Sequence, residues 1–149
     1  MKALTTLWVI GMFLTTAAMA DDVDDVKASE LGHFTTQSAD VITQHHLAGH
    51  TGFGADGGLL GVTDSLEEER KTRRAETDAG LTRNMQLRHL DAKIYGDVAV
   101  TTGHVIGTRT LPDGTTERVA NRRTAVLIKQ GGQWKEVHTH NSPLNIASQ

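Results

Sequence analysis

The chain has 149 residues, a formal net charge of −3, no cysteine and an aromatic content of only 4%. That length suits one domain with enough chain to bury a core by packing alone, and the absence of cysteine excludes a disulfide framework. The charge is mild and of mixed sign, so nothing in it marks a nucleic-acid partner.

The start reads Met1-Lys2-Ala3, then an apolar run from Leu4 to Leu14, then Thr15-Thr16-Ala17-Ala18-Met19-Ala20. A basic first segment, a short apolar run and an A-x-A site are the marks of a secretory signal peptide. Residues 1–20 are therefore expected to be a signal peptide cleaved after Ala20, which places the mature protein in a periplasm or outside the cell. The run is shorter than the ~20 apolar residues that a membrane helix needs, so no membrane partner is expected after cleavage. Residues 21–149 remain as a single domain.

In that domain Val23, Val26, Glu30, Leu31 and Phe34 approximate a helical stripe, which Gly32 weakens. Ser38 suits the N-cap of a short helix carrying Val41 and Ile42. The glycine-rich stretch from Gly49 to Gly61 has room for a short strand at His50–Gly54 and a turn at Asp56-Gly57-Gly58. Ser65-Leu66-Glu67-Glu68 is a capping box, and Gly80 is placed to end the helix it opens. The charges of that helix predict Glu67–Lys71 and Glu69–Arg73 pairs at i,i+4. From Met85 the period changes to two. Strands are predicted over Met85–Tyr95, Val98–Leu111, Thr115–Lys129 and Gln133–Asn141, with turns at Gly96-Asp97, Pro112-Asp113-Gly114 and Gly131-Gly132. Pro143 closes the series, because it cannot donate to a ladder. Helices followed by long antiparallel strands make an α+β fold, and long twisted strands tend to curl around the helices.

Three stretches carry a family likeness. They are Tyr95-Gly96-Asp97-Val98-Ala99-Val100-Thr101-Thr102-Gly103, then Arg123-Thr124-Ala125-Val126-Leu127, then Gly132-Gln133-Trp134-Lys135-Glu136-Val137-His138-Thr139-His140-Asn141-Ser142. Together they resemble the nuclear-transport-factor-2-like superfamily, in its SnoaL-like and kinase-association-domain branches. The Gly-x-Trp-x-x-Val-His-x-His-x-Ser run is similar to the closing strand of the calmodulin-dependent kinase association domain. The resemblance implies a cone, a cystatin-like roll of four to six antiparallel strands on two or three helices, with a pocket at its open end. It also implies a homodimer or a higher homo-oligomer. The kinase domain places a pocket arginine close to the position of Arg123. The front of the chain departs from the family pattern, being short, interrupted by Gly32 and rich in histidine.

Eight histidines are many for this length. His138 and His140 stand two apart on a predicted strand and so share a face. Facing the pocket, they are candidate catalytic bases; facing away, they fix the closing strand or meet solvent. Arg122 and Arg123 alternate in facing, and a pocket Arg123 suits a carboxylate ligand through a two-pronged contact. The alternative is a strand charge paired with Glu117 or Glu136. Trp134 is core or pocket wall. His-x-His, with His45, His46 and His50, offers nitrogen ligands to a metal, but no carboxylate stands at a familiar spacing, so no metal and no cofactor is assigned. The only tyrosine, Tyr95, lies beside a turn, which disfavours a ketosteroid-isomerase type of site. G-x-S-x-G and P-loop motifs are absent, and the GxGxxG-like run at Gly52 precedes no helix. The leading expectation is an exported domain that binds a small molecule in a conical, partly apolar pocket lined by Arg123, Trp134, His138 and His140. The alternatives are a pocket enzyme of lyase, isomerase or hydrolase type with a histidine base, and a histidine-ligated metal-binding protein.

Overall fold

The computed structural model describes residues 14–145, with side chains from Asp22 onward. The first thirteen residues of the expected signal segment lie outside the described residues. The expected cut after Ala20 falls within the first helix, α1 (Leu14–Gly32). The predicted stripe holds where it matters: Val26 and Glu30 are fully buried, while Leu31 turns outward at 40% exposure. Gly32 is the last residue of the helix, and a Cβ there would stand 2.4 Å from Nε2 of His45.

Ser38 caps α2 (Ala39–Thr43), its Oγ accepting from the Val41 N–H. Two strands follow, β1 (His46–Phe53) and β2 (Gly61–Thr63). β1 is longer than its sequence suggests, and β2 carries too few residues for a period to show. Ser65 caps α3 (Leu66–Asp78) by accepting from the Glu68 N–H. Gly80 stops it at φ +95°, a left-handed conformation that costs glycine little. α3 buries no residue completely, so ion pairs tie it down. Arg70 and Arg74 both reach Asp40 of α2, at 3.0 and 2.7 Å. The Glu69–Arg73 pair forms as predicted at 2.7 Å, whereas Glu67 pairs with Arg70, one residue closer than Lys71, at 2.5 Å.

The four long strands are β3 (Thr82–Tyr95), β4 (Val98–Thr110), β5 (Thr116–Gln130) and β6 (Gln133–Pro143). The sheet runs β2-β1-β6-β5-β4-β3. It curls without closing, and α1 packs on its concave face. This is the α+β cone expected, with one difference: β1 pairs with β6 in parallel, so the sheet is mixed. Val26 meets Ala99, Ala125, Leu127 and Trp134 to form the core under α1. None of these five residues lines the cavity, which lies apart from this core.

The closing strand carries a β-bulge. Val126 faces His138 while the next residue, Leu127, faces Glu136, so Val137 is the extra residue. A bulge reverses the alternation of every residue beyond it. Trp134 and Glu136 point inward, and past the bulge it is Thr139 and Asn141 that line the cavity.

Candidate functional site

The cavity measures about 260 Å3 and lies between the concave sheet, α2 and α3. Its apolar wall is Phe34, Ile42 and Met85; its polar lining includes His33, His46, His50, Arg73, Arg83, Arg123 and Glu136. An outer groove between β2 and α3 shares His50, Arg73 and Arg83 with it.

At its floor Arg123 is almost fully buried. Its Nε donates to Glu30 at 3.0 Å, its Nη1 donates to the Thr139 hydroxyl at 2.6 Å, and its Nη2 donates to Glu136. Phe34 lies 5.6 Å from the guanidinium. Two buried carboxylates thus share one cation, and Oε1 of Glu30 has no partner among the described residues. Burial pushes the Glu136 carboxyl up to about 7; Arg123 pulls it down, and Glu30 pushes it further up. Burial would lower the pKa of Arg123, but its two carboxylates hold it raised, so it stays a cation. Of the two sequence readings of Arg123, the structure combines halves of each: it faces the cavity, and Glu136 is its partner. Glu117 pairs with Arg109 instead, and Arg122 faces the other way, donating to the Pro143 carbonyl.

Around this floor stand the histidines. The His46 Nδ1 lies 3.0 Å from both oxygens of Glu69 on α3. Burial would push Glu69 up, but the hydrogen bonds and charges of His46 and Arg73 outweigh it and hold the carboxyl at about 2. His33 is held well below the ordinary imidazole value by burial, reinforced by the charges of His46 and Arg123, so it is neutral at physiological pH. Burial likewise lowers His45 and His50.

His138 and His140 do not line this cavity. The bulge at Val137 puts them on the outward face, in cross-strand rows with Val126 and Thr124. There His138 shares a 2.7 Å hydrogen bond with Thr51 of β1, and Phe53 stands edge-on to it. His140 borders a separate shallow depression beside the Gly54–Gly58 turn. Trp134 belongs to the core beneath α1, away from the cavity. The expected grouping of Arg123 with Trp134, His138 and His140 on one wall is therefore corrected: among these four only Arg123 faces the cavity. The residues beside it that sequence reasoning did not assign to the cavity are Glu30, His33, Glu69 and Glu136, brought from α1, the turn after it, α3 and β6. Glu30 did leave a signal, a charged residue in an apolar helical stripe.

Comparison with known proteins agrees with this architecture. The model of the SnoaL-like domain matches residues 31–146. No curated protein matches the chain. A ketosteroid isomerase-like protein from Erwinia carotovora atroseptica superposes with a TM-score of 0.66 at 14% identity, over 84% of this chain and 98% of that one. An NTF2-like protein with a cystatin-like fold from Novosphingobium aromaticivorans gives 0.63 at 15% identity, over 94% and 95%. The association domain of C. elegans CaMKII gives 0.59 at 18% identity, over 86% and 98%. At such identities these likenesses speak for the fold. With the family match covering most of the chain and a cone-shaped sheet wrapped on helices, this protein belongs to the SnoaL-like domain family, in the nuclear-transport-factor-2-like superfamily.

Proposed function

We propose that this is an exported domain that binds a small, partly apolar carboxylate in the cavity beneath α2 and α3. The observation that carries the reading is the lining: an apolar wall of Phe34, Ile42 and Met85 opposite three arginines. Arg123 is taken up by Glu30 and Glu136, so it anchors the floor rather than the ligand. Arg73 and Arg83 are the ones with donors to spare. Each is held from behind by one carboxylate, Glu69 and Glu76, and each stands where the outer groove meets the cavity. A planar fork held in this way suits a carboxylate. The volume lies below the ~300–1,000 Å3 of drug-sized sites, which favours a metabolite-sized ligand. Export is supported by the features of residues 1–20. It also fits the packing of α1, whose Asp22, Val26, Ser29 and Glu30 contacts with the sheet lie beyond the expected cut. The outward sheet face, with Val100, Val126 and Ile128 in its rows and only half-buried, suits a homodimer.

A thermal-shift panel of small carboxylates, benzoate among them, tests the binding reading. A compound that raises Tm in the wild type and fails to do so in Arg83→Gln is the expected result. If no carboxylate raises Tm, or if Arg83→Gln responds as the wild type does, the reading fails. Intact mass of protein from the exported fraction tests the cut after Ala20.

His46 favours a second reading, a pocket enzyme with a histidine base. A carboxylate on Nδ1 orients an imidazole for proton transfer at Nε2. Under it His46→Asn abolishes turnover of a carboxylate that still binds; unchanged turnover would exclude it.

A further inference from the structure

Three imidazoles in the cavity have the same Nδ1 environment. His33 directs Nδ1 at the Glu30 carbonyl at 3.2 Å, His46 at the Glu69 carboxylate at 3.0 Å, and His50 at the Leu47 carbonyl at 3.0 Å. An Nδ1–H that donates to such an acceptor fixes the tautomer and leaves the Nε2 lone pair free. Metal-ligating histidines are held in this way by their outer partners. For His33 the freed Nε2 is buried and has no partner among the described residues. A buried ring nitrogen left so costs stability unless something fills its lone pair.

The rings are also close. The centroids of His33 and His46 are 4.7 Å apart, and ligand atoms of His33, His46 and Glu136 all lie within 4.8 Å of one another. Ligands of a tetrahedral ion at ~2.1 Å stand about 3.4 Å from each other, so side-chain rotations that move these atoms by about 1 Å complete a site. A second trio, His46, His50 and Glu69, shares His46 with the first. There Glu69 already holds the Nδ1 of His46 itself as well as Arg73, whereas Glu136 is held by Arg123 and by neither imidazole. The first trio is the better site, with Glu69 as the outer partner that orients His46. Charge points the same way. Glu30 and Glu136 share a single buried guanidinium, and Oε1 of Glu30 has no partner among the described residues. A buried surplus of negative charge is costly until a cation neutralises it.

We propose that His33 Nε2, His46 Nε2 and Glu136 bind one divalent first-row transition-metal ion of the zinc class, with a fourth position open to the cavity. Two imidazoles and a carboxylate with one open position form a recognised zinc set. The site shares its cavity with the proposed carboxylate but does not depend on it, and its test uses the metal alone.

The experiment is calorimetric titration of Zn2+ into tag-free, chelator-treated protein, with unfolding followed in parallel to show that each variant is folded. One Zn2+ per chain is expected. His33→Ala and His46→Ala are expected to weaken binding about 100-fold or more, and Glu69→Gln, through the outer partner, about 10-fold. His138→Ala/His140→Ala, on the outward face, keeps wild-type affinity. X-ray absorption at the zinc edge of the wild-type complex counts two imidazoles and light oxygen ligands, a result that needs no variant to fold. Absence of a 1:1 site, unchanged affinity in His33→Ala, loss of binding in the outward-face double variant, or another imidazole count overturns the proposal. The carboxylate thermal-shift result stands or falls separately.

Discussion

Arg123→Met replaces the one cation between two buried carboxylates by an apolar chain of similar length. Glu30 is fully buried and Glu136 nearly so, and each bonds a different nitrogen of the guanidinium. Removing one partner from a buried ion set leaves uncompensated charge and costs about 3–5 kcal/mol. At roughly 3 °C per kcal/mol for a domain of this size, the melting temperature should fall by about 10–15 °C at pH 8. The sign of the pH dependence follows from Glu136, whose folded-state value is raised to about 7 from 4.5. A carboxyl raised in this way weakens the folded state as pH climbs through that window, and protonation relieves the penalty. The deficit of Arg123→Met relative to wild type should therefore shrink between pH 8 and pH 5. Adding Glu30→Gln, which deletes one of the two stranded charges, should recover part of it at pH 8. Thermal unfolding by circular dichroism in the presence of chelator reads all three. A loss under about 3 °C at pH 8, or a deficit that does not change with pH, would refute the buried-charge argument.

Glu69→Gln should cost about 1–2 kcal/mol at neutral pH, less than the full shift implies because the group is only half enclosed. Its folded-state value of about 2 lies below the ordinary 4.5, so the wild type gains this stability above pH 4.5 and loses it as pH falls toward 2. Chemical denaturation across that range should show the gap between variant and wild type closing. Ser65→Ala removes the side-chain acceptor of the Glu68 N–H and should cost about 1 kcal/mol, seen as a lower urea midpoint with an unchanged slope. His138→Ala/His140→Ala should leave carboxylate binding intact in the thermal-shift panel, since neither ring reaches the cavity.

Much of the fold was legible because its signals are local. Ser38 and Ser65 act as caps, Gly80 ends α3, and the turns after Tyr95, Leu111 and Gln130 fall between strands as their residues require. β1 was harder to read. Its glycines and histidines have no clear apolar period, and half of its support is a parallel pairing with β6, ninety residues away, which no local pattern encodes. The site was legible only in part. Arg123 was found because alternation puts Arg122 and Arg123 on opposite faces and the family resemblance places a pocket arginine close to Arg123. His138 and His140 share a face, as their spacing requires, but the extra residue at Val137 turns that face outward, away from the cavity where the leading expectation put them. A bulge leaves no mark in the sequence when the inserted residue is as strand-like as its neighbours. The carboxylates Glu30, Glu69 and Glu136 come from three separate elements, so no spacing motif joins them, and only the curl of the sheet brings them around one cavity.

The central claim is that ligand chemistry belongs to the cavity of His33, His46 and His50 and not to the outward His138–His140 face. Two-dimensional NMR of the eight imidazole rings, recorded with and without the carboxylate that most raises Tm, tests it most directly. The rings of His33, His46 and His50 should shift while those of His138 and His140 stay in place. Shifts confined to His138 and His140 would contradict the account and return the site to the outer face of the sheet.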